Sequence, residues 1–414
     1  MRSALFVLCA GLSLSAQTKP SYNDVARAIR AGGSAEGVSL ADAFGEENLK
    51  SGRAVLYRGG ELLFAVRSTR EPKLVIDEAS PVGMTRVGGQ DLWVKAVTVP
   101  TSTSHNFYYL VAEERFGGRN DVPAFGPWSY DKDGVPKGTL SEKLVHKSSV
   151  YPGLECNWWI YAPAQYDKSK PAAVMVWQDG QGMTEREGSR AQIVFDNLTA
   201  EGRIPVIVHV FIQPGTVGGK PWRSIQYDSV DDRYPRFLLE EILPQVAKRY
   251  NIRTDGYSRA IAGNSSGGIC AFNAAWQKPD EFSRVLSRIG SFTSIQWHPG
   301  EKDGGNLFPF MIRKQPKRNI RVWLQDGSGD LENNHGSWPL QNVAMANSLK
   351  MKDYDYHLSW GNGTHSGAHG NAEIGEEMIW LWRGYDPAVT RADYVQDAAE
   401  RQKPMWRVRQ LNRD

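Results

Sequence analysis

The chain has 414 residues, of which 41% are hydrophobic and 23% are charged, and its 49 Lys and Arg nearly balance its 46 Asp and Glu. This balance excludes the basic footprint of a nucleic-acid-binding protein, and the composition is that of a soluble globular protein. The length exceeds that of one ordinary domain and therefore favours two.

The first residues have the pattern of a secretory signal. Arg2 is followed by an apolar run, residues 4–14, and Ser-Ala precedes Gln17. This order predicts a signal peptide at residues 1–16 rather than a membrane span. We therefore expect an extracytoplasmic protein, periplasmic or secreted, with no membrane association after signal removal.

Two cysteines lie beyond the predicted signal, Cys156 and Cys270. Two cysteines do not make a disulfide framework, although they could pair in an oxidising compartment. Cys270 falls on a predicted helix, where a small buried thiol is favoured. The sequence leaves the pairing open.

The N-terminal third is predicted to be a leader and a β domain. Residues 17–50 indicate a leader segment with partial order, and residues 51–137 indicate a small all-β sandwich with a linker. Within them, residues 115–137 are rich in Gly, Pro and Asp, which is typical of a linker or of a loop that reaches towards the second domain. Strand-like runs fall at residues 54–57, 62–66, 73–76, 92–97 and 107–111.

From residue 138 to 385 apolar strands alternate with helical patterns. This rhythm predicts an α/β fold with a mostly parallel central sheet that is covered on both faces. Residues 386–414 are polar and predict a C-terminal tail on the surface. The predicted strands are 158–161, 172–177, 206–212, 260–263, 284–289, 320–324 and 354–360, and the helices are 190–200, 234–250, the stretch after 267, 338–351 and 372–382.

A Gly-x-Ser-x-Gly motif centred on Ser265 follows one of these strands and precedes a small-residue helix. This order predicts a nucleophile elbow, a strained turn that lifts the serine hydroxyl above the sheet. Gly263 and Gly267 lie two residues on either side, where a Cβ would collide with a neighbouring element. The motif alone also occurs in chance turns.

A serine nucleophile needs a base and an acid that holds the base, and both follow in the chain. His365 lies in a Gly-rich loop after the strand at residues 354–360 and is the predicted base. Asp330 is favoured as the acid because it lies one loop beyond its strand, with Asp326 and Glu332 as alternatives.

Three histidines, His335, His365 and His369, raise the alternative of a metal site. Their spacing matches no recognised ligand set, and cysteine ligands are absent. We therefore predict no metal.

The oxyanion of a tetrahedral intermediate needs two hydrogen-bond donors. The backbone N–H of Ser266, directly after the nucleophile, is one candidate. The backbone N–H of Gln181, in the Gly-rich loop after the strand at residues 172–177, is the other, although this loop could be an ordinary turn.

Several motifs together resemble the putative-esterase group of α/β-hydrolases. They are Arg-Ser-Ile-Gln-Tyr-Asp at 223–228, the run at 232–244, the elbow at 260–268, Val-Trp-Leu-Gln-Asp-Gly at 322–327 and Gly-Thr-His-Ser at 363–366. This group includes enterochelin esterases and the feruloyl and acetylxylan esterases of carbohydrate esterase family 1. The resemblance covers roughly residues 140–385 and implies an α/β-hydrolase fold, the triad Ser265, Asp330 and His365, and no cofactor.

The first domain resembles the β-sandwich that precedes such esterases, either a family 48 carbohydrate-binding module or the N-terminal domain of enterochelin esterases. Trp93, Tyr108 and Tyr109 could form a sugar platform, but at strand spacing such aromatics are more often core residues.

The resemblance implies a serine esterase, and the predicted signal peptide indicates that it is secreted. An extracytoplasmic location favours an esterified plant polysaccharide or its fragments, with feruloyl or acetyl groups, as the substrate. Trp222, Trp297 and Trp338 are the candidate aromatic contacts for it, with core positions as the alternative. A siderophore trilactone esterase and a non-catalytic carbohydrate-binding protein are the other hypotheses. The complete order of Ser, Asp and His favours an enzyme.

Overall fold

The computed structural model describes residues 19–33, 37–301 and 303–407. The predicted signal at residues 1–16 lies outside them. Within the described chain, no helix is both long and apolar enough to cross a bilayer. The described residues form a β-sandwich flanked by short helices, followed by an α/β portion that carries the predicted site.

The sandwich consists of two four-stranded antiparallel sheets in the described part of the chain. The sheet orders are β1-β2-β6-β5 and β4-β3-β7-β8. Its strands are β1 (Val55–Arg58), β2 (Glu61–Arg67), β3 (Pro72–Ile76), β4 (Val82–Gly83), β5 (Thr85–Arg86), β6 (Leu92–Thr98), β7 (Thr103–Val111) and β8 (Glu114–Ala124). Phe64 of one sheet meets Phe107 of the other edge-to-face in the core between them, with ring centroids 4.8 Å apart.

The predicted leader packs as helices on the outer face of the first sheet. Val25, Ile29 and Leu49 are buried there against Leu63 and Val94, so this segment covers apolar surface that water would otherwise reach. The helices are α1 (Tyr22–Arg30), α2 (Leu40–Phe44) and α3 (Glu46–Lys50).

Strand β8 includes residues 115–124, which are the first part of the segment 115–137 predicted to be a linker or loop. Gly117 and Gly118 have positive φ angles of 60° and 103°, and the β7–β8 register shifts beside them. Glycines at a bulge and a proline on an edge strand are compatible with a sheet, which is why a turn-like composition hid this strand.

The aromatics considered as a sugar platform do not form one. Tyr109 and Trp93 are buried in the sandwich, whereas Tyr108 lies under Arg115, whose guanidinium carbon is 4.1 Å from the ring centroid. Trp93 and Tyr109 are therefore core residues, which was the alternative to a sugar platform.

The α/β portion is built on one large mixed sheet. Its main path runs β15-β14-β11-β13-β12-β16-β17-β18-β21, with β9 and β10 paired to β11. The strands are β9 (Thr139–Leu140), β10 (Leu144–Lys147), β11 (Leu154–Ala162), β12 (Ala173–Gln178), β13 (Ile207–Ile212), β14 (Thr216–Val217), β15 (Lys220–Pro221), β16 (Arg259–Asn264), β17 (Arg284–Arg288), β18 (Arg321–Gly327) and β21 (Asp355–Gly361), and β19 (Glu332–Asn333) and β20 (Gly336–Ser337) form a separate hairpin.

The strands from β13 through β12, β16, β17 and β18 to β21 are parallel, and β11 is antiparallel to β13. Apolar clusters fill both faces of this sheet, and the α/β class predicted from the sequence is confirmed. Parallel strands bring their carboxyl ends to one edge, so the loops after β12, β16, β18 and β21 meet there.

Helices cover the two faces. They are α4 (Arg186–Ser189), α5 (Ala191–Ala200), α6 (Arg223–Tyr227), α7 (Arg233–Phe237), α8 (Leu243–Ala247), α9 (Ser266–Gln277), α10 (Phe308–Lys314), α11 (Trp338–Met351) and α12 (Ala368–Trp382). A further short helix, α13 (Ala398–Gln402), lies in the tail and has no buried residue. A π-helical turn, Leu238–Ile242, joins α7 to α8, so the helix predicted over residues 234–250 contains an irregular centre.

Cys156 and Cys270 are both free and buried, and burial raises the pKa of the Cys156 thiol to about 12. In the described part of the tail, residues 386–407, Tyr394 is buried and its hydroxyl lies 2.9 Å from the Ser283 hydroxyl.

Candidate active site

Ser265 lies at the turn between β16 and α9 with φ 58° and ψ −121°. A non-glycine residue in this region is strained, and such strain persists only where the surroundings hold it. A Cβ on Gly263 would lie 2.4 Å from the backbone of Gly267. Because only glycine permits this approach of helix to strand, the local sequence dictates the elbow.

His365 is brought to Ser265 by the loop after β21. The distance from His365 Nε2 to Ser265 Oγ is 2.7 Å, and the His365 side chain is 21% exposed. Its Nδ1 atom faces a carboxylate and therefore carries the proton, which leaves Nε2 as the acceptor of the serine hydroxyl. The predicted nucleophile and the predicted base are thus placed at a distance that permits proton transfer.

Asp330 is the acid that reaches the histidine. Asp330 Oδ1 is 2.5 Å from His365 Nδ1, and its side chain is buried. Glu332 lies exposed on the β19–β20 hairpin. Asp326 is buried behind Asp330 and accepts the Gly327 N–H at 2.7 Å.

Asp326 and Asp330 form a carboxyl pair beneath the histidine. Burial, and then the Asp330 carboxylate beside it, raise the pKa of Asp326 to about 9. The raised pKa favours a protonated Asp326 at neutral pH, beside the Asp330 carboxyl that faces His365.

A second serine touches the predicted nucleophile. Ser291 Oγ lies 3.1 Å from Ser265 Oγ and accepts the Trp338 indole N–H at 3.0 Å. Since Ser265 donates to His365, the Ser291 hydroxyl donates to Ser265. The Trp338 ring also packs edge-on against His365, with centroids 5.6 Å apart.

The two candidate oxyanion donors lie at the ends of neighbouring strands. Ser266 is the first residue of α9, where the backbone N–H groups have no partner within the helix. Gln181 lies on the 3-10 turn Gly180–Met183 directly after β12 and is exposed. A Cβ on Gly267 would lie 3.1 Å from Asp179 Oδ2, so this turn and the elbow are adjacent.

An ion pair that the sequence did not single out joins these elements. Arg223 makes two hydrogen bonds with the Asp179 carboxylate, of 2.8 and 2.7 Å, and reaches the Asn264 carbonyl at 3.4 Å. Arg223 belonged to the motif run at 223–228, but nothing in the sequence paired it with Asp179, which lies 44 residues away.

A buried carboxyl lies close to Ser266. Asp228 accepts the Ser224 hydroxyl at 2.8 Å, and burial raises its pKa to about 6. Asp228 is the last residue of the motif at 223–228, so the sequence contained a signal that could have identified it as a residue near the site.

The three candidate tryptophans occupy different environments. Trp338 is buried against the histidine, Trp222 is half-buried before α6, and Trp297 is 50% exposed. The loop that carries Trp297 meets α6 through a hydrogen bond from Gln296 to Ser224 of 2.9 Å. Only Trp338 contacts a predicted triad residue in the described contacts.

Two of the three histidines considered as metal ligands have other partners. His369 is buried with Glu373 and Gln325 within 3.3 Å, and His365 faces Ser265. In the described ranges, no group of three His, Cys, Asp or Glu side chains is arranged to hold a metal ion.

Residues 149–380 match the protein family described as "Putative esterase", a stretch longer than half of the chain. The chain belongs to this esterase family. The family match includes the strand-to-helix turn of Ser265 and the loops of Asp330 and His365.

Two curated relatives of this esterase differ in activity. An endo-1,4-beta-xylanase/feruloyl esterase of Xylanibacter ruminicola is 26% identical over 243 residues, covering 56% of this chain and 30% of that protein. An iron(III) enterobactin esterase of Dickeya dadantii is 28% identical over 141 residues, covering 34% of this chain and 30% of that protein. The chain thus spans about a third of the length of each relative.

Solved enterobactin esterases share the fold. Enterochelin esterase of Shigella flexneri has a TM-score of 0.54 at 16% identity and covers 83% of this chain and 99% of its own. Ferric enterobactin esterase of Salmonella typhimurium has a TM-score of 0.54 at 17% identity, covering 81% of this chain and 97% of its own. These alignments extend beyond the α/β portion into the sandwich.

Proposed function

We propose that this esterase cleaves carboxylic esters by an acyl-enzyme mechanism with Ser265, His365 and Asp330 as the triad. The observation that carries the proposal is the continuous chain of short contacts from Ser265 Oγ to His365 Nε2, 2.7 Å, and from His365 Nδ1 to Asp330 Oδ1, 2.5 Å. A non-catalytic carbohydrate-binding protein would have no use for this alignment on a strained elbow.

Acylation begins when Ser265 Oγ attacks the ester carbonyl carbon while His365 Nε2 takes the hydroxyl proton. The carbonyl oxygen becomes an oxyanion, which the backbone N–H groups of Ser266 and Gln181 stabilise. The intermediate collapses, the bond to the alcohol oxygen breaks, and His365 returns the proton to the leaving alcohol.

Deacylation repeats these steps with water. His365 removes a proton from a water molecule that attacks the acyl carbon, and the proton then returns to Ser265 Oγ as the free acid leaves. Asp330 stabilises the imidazolium that forms in each half-reaction and holds its orientation. No cofactor enters the scheme.

The proposed substrate is a feruloyl or acetyl ester of plant polysaccharide or its fragments. The xylanase/feruloyl esterase match, which covers 56% of this chain, supports it. The signal-like pattern at residues 1–16 supports an extracytoplasmic location, where such polymers occur. Trp297, half exposed on a loop that meets α6, offers an aromatic face.

A siderophore trilactone is the second candidate. The match to the iron(III) enterobactin esterase, 28% identical over 141 residues, supports it. The same triad would serve, because a trilactone presents the same ester carbonyl.

Replacement of the nucleophile tests the mechanism. We expect Ser265→Ala to lose hydrolysis of 4-nitrophenyl acetate by at least about 10³-fold, with an unchanged circular dichroism spectrum and melting temperature. Ser328→Ala, which alters an exposed serine of the acid loop, should retain activity. Unchanged turnover by Ser265→Ala would refute the assignment.

A comparison of substrates tests the specificity. Wild-type enzyme should release ferulate from feruloylated arabinoxylan or acetate from acetylxylan with a higher kcat/KM than it shows on an enterobactin-type trilactone. If the enzyme hydrolyses the trilactone and releases nothing from either carbohydrate ester, the polysaccharide ester is rejected and the siderophore trilactone becomes the proposed substrate.

A further inference from the structure

The loop that carries His365 has little structure of its own. It runs from the end of β21 through Gly361, Asn362 and Gly363 to Thr364. On one side it lies against the acid loop, since the Gly329 N–H donates to the Gly363 carbonyl at 3.1 Å. A loop so rich in glycine needs an external support to hold one conformation.

That support comes from the β-sandwich. Asp121 Oδ1 accepts the backbone N–H of Thr364 at 2.9 Å, and Asp121 Oδ2 accepts the Thr364 hydroxyl. Thr364 directly precedes His365, so a carboxylate of the first domain binds the backbone one residue from the imidazole. Hydrogen bonds to an ionised acceptor are about twice as strong as neutral ones.

A second set of contacts fixes the same loop. Asn362 donates to Asp77 Oδ1 at 2.7 Å, and its carbonyl accepts the Asn106 amide at 2.9 Å. The Asp77 carboxylate also accepts the Asn106 backbone N–H at 2.9 Å and lies 2.6 Å from Nδ1 of the buried His105. The three sandwich side chains therefore form one connected network.

The backbone of the sandwich is shaped for this contact. Strand β8 bulges so that two residues, Asn120 and Asp121, lie opposite Asn106 alone, and Asp121 has a positive φ of 56°. Bulges re-aim side chains and are found next to active sites. A Cβ on Gly363 would lie 3.2 Å from Asp121 Oδ1, so the two domains approach closely here.

We propose that the β-sandwich is a positioning element for catalysis, and that Asp121 is its positioning residue, which holds Thr364 and thereby sets the distance from His365 Nε2 to Ser265 Oγ. This inference rests on the proposed function, because it assigns His365 as the base. It gives the first domain a role that does not require sugar binding.

The prediction is a loss of turnover without a loss of binding. In Asp121→Ala the loop is free to move, and small misplacement of a catalytic group costs about 10- to 100-fold in rate. We expect kcat on 4-nitrophenyl acetate to fall by that factor while KM stays within about twofold. The low-field proton NMR signal of His365 Nδ1 should broaden or vanish, a change that general destabilisation of a folded enzyme would not produce.

Two controls separate positioning from interface stability. Ser102→Ala removes another hydrogen bond between the domains, to Glu376 Oε1 at 2.5 Å, away from the histidine loop, and should leave kcat and the NMR signal unchanged. Thr364→Val removes the hydroxyl contact and should lower kcat, whereas Thr364→Ser retains the hydroxyl and should restore it.

The outcomes are distinct. If folded Asp121→Ala keeps wild-type kcat and the low-field signal, or if Ser102→Ala lowers kcat equally, the inference is overturned. If Asp121→Ala does not fold, equal activity of Thr364→Val and Thr364→Ser overturns it. Failure of the proposed function would show separately as an active Ser265→Ala.

Discussion

Three carboxylates compete for the role of triad acid, and only Asp330 touches His365. Asp330, Asp326 and Glu332 fall within seven residues of each other, and their spacing in the sequence favours Asp330 without excluding the others. The turn after β18 points Asp330 towards the imidazole and places Glu332 on an exposed hairpin. The direction of a side chain in a turn depends on the backbone conformation, and the sequence alone does not specify that conformation.

Asp330→Asn should lower kcat by about 10³- to 10⁴-fold, because an amide cannot hold the imidazole in the required tautomer or stabilise its charge. Glu332→Gln should stay within about twofold of wild type. Steady-state kinetics on 4-nitrophenyl acetate measures both. A larger loss in Glu332→Gln than in Asp330→Asn would reassign the acid.

The raised pKa of Asp326 should make the free energy of unfolding depend on pH. An unfolded Asp ionises near its ordinary pKa of about 4, whereas folded Asp326 keeps its proton until about pH 9. Its contribution to the free energy of unfolding is therefore full below pH 4 and is lost as the pH rises towards 9.

Asp326→Asn cannot ionise, and its side chain has nearly the same size and shape as that of Asp. The free energy of unfolding of this variant, relative to wild type, should increase between pH 5 and pH 8 in urea denaturation. A difference that stays constant over this range would contradict the protonated state of Asp326.

At the scale of elements, the turn between β16 and α9 decides whether the site exists. The motif around Ser265 predicted this turn because its glycines have a steric reason that acts locally. The structure adds the magnitude of that constraint, since a Cβ on Gly263 would lie 2.4 Å from the Gly267 backbone. Neither backbone can shift without moving Ser265.

Gly263→Ala should therefore destabilise the fold by about 1–3 kcal/mol or more and abolish activity. Gly83→Ala is the matched control, because a Cβ at Gly83 meets nothing within 4 Å. Thermal denaturation and esterase activity measure both variants. A stable and active Gly263→Ala enzyme would contradict the close packing of β16 against α9.

At the scale of the whole molecule, the sandwich and the α/β portion share polar contacts. Asp121 binds Thr364, Asp77 binds Asn362 and Ser102 binds Glu376, while the Gly126 N–H donates to the Ala372 carbonyl at 3.0 Å. Contacts at the histidine loop and at α12 tie the stability of each part to the other.

We expect one cooperative transition for both parts in differential scanning calorimetry, with loss of esterase activity at the same temperature. Independent domains would instead unfold in separate steps. Two resolved transitions, with activity following only the second, would show that the sandwich does not support the site.

The sequence alone determined the class of the fold, the nucleophile elbow, the order of the predicted triad and the esterase family resemblance. These features depend on local sequence. The periodicity of apolar residues indicates which faces of the strands and helices are buried, and the glycines around Ser265 indicate where two backbones approach too closely for a side chain. The tertiary structure alone decided which acid meets His365, that Trp338 packs on it and that Asp121 holds its loop. Asp121 and Thr364 are 243 residues apart, and contacts at such separation arise from packing that no local pattern encodes.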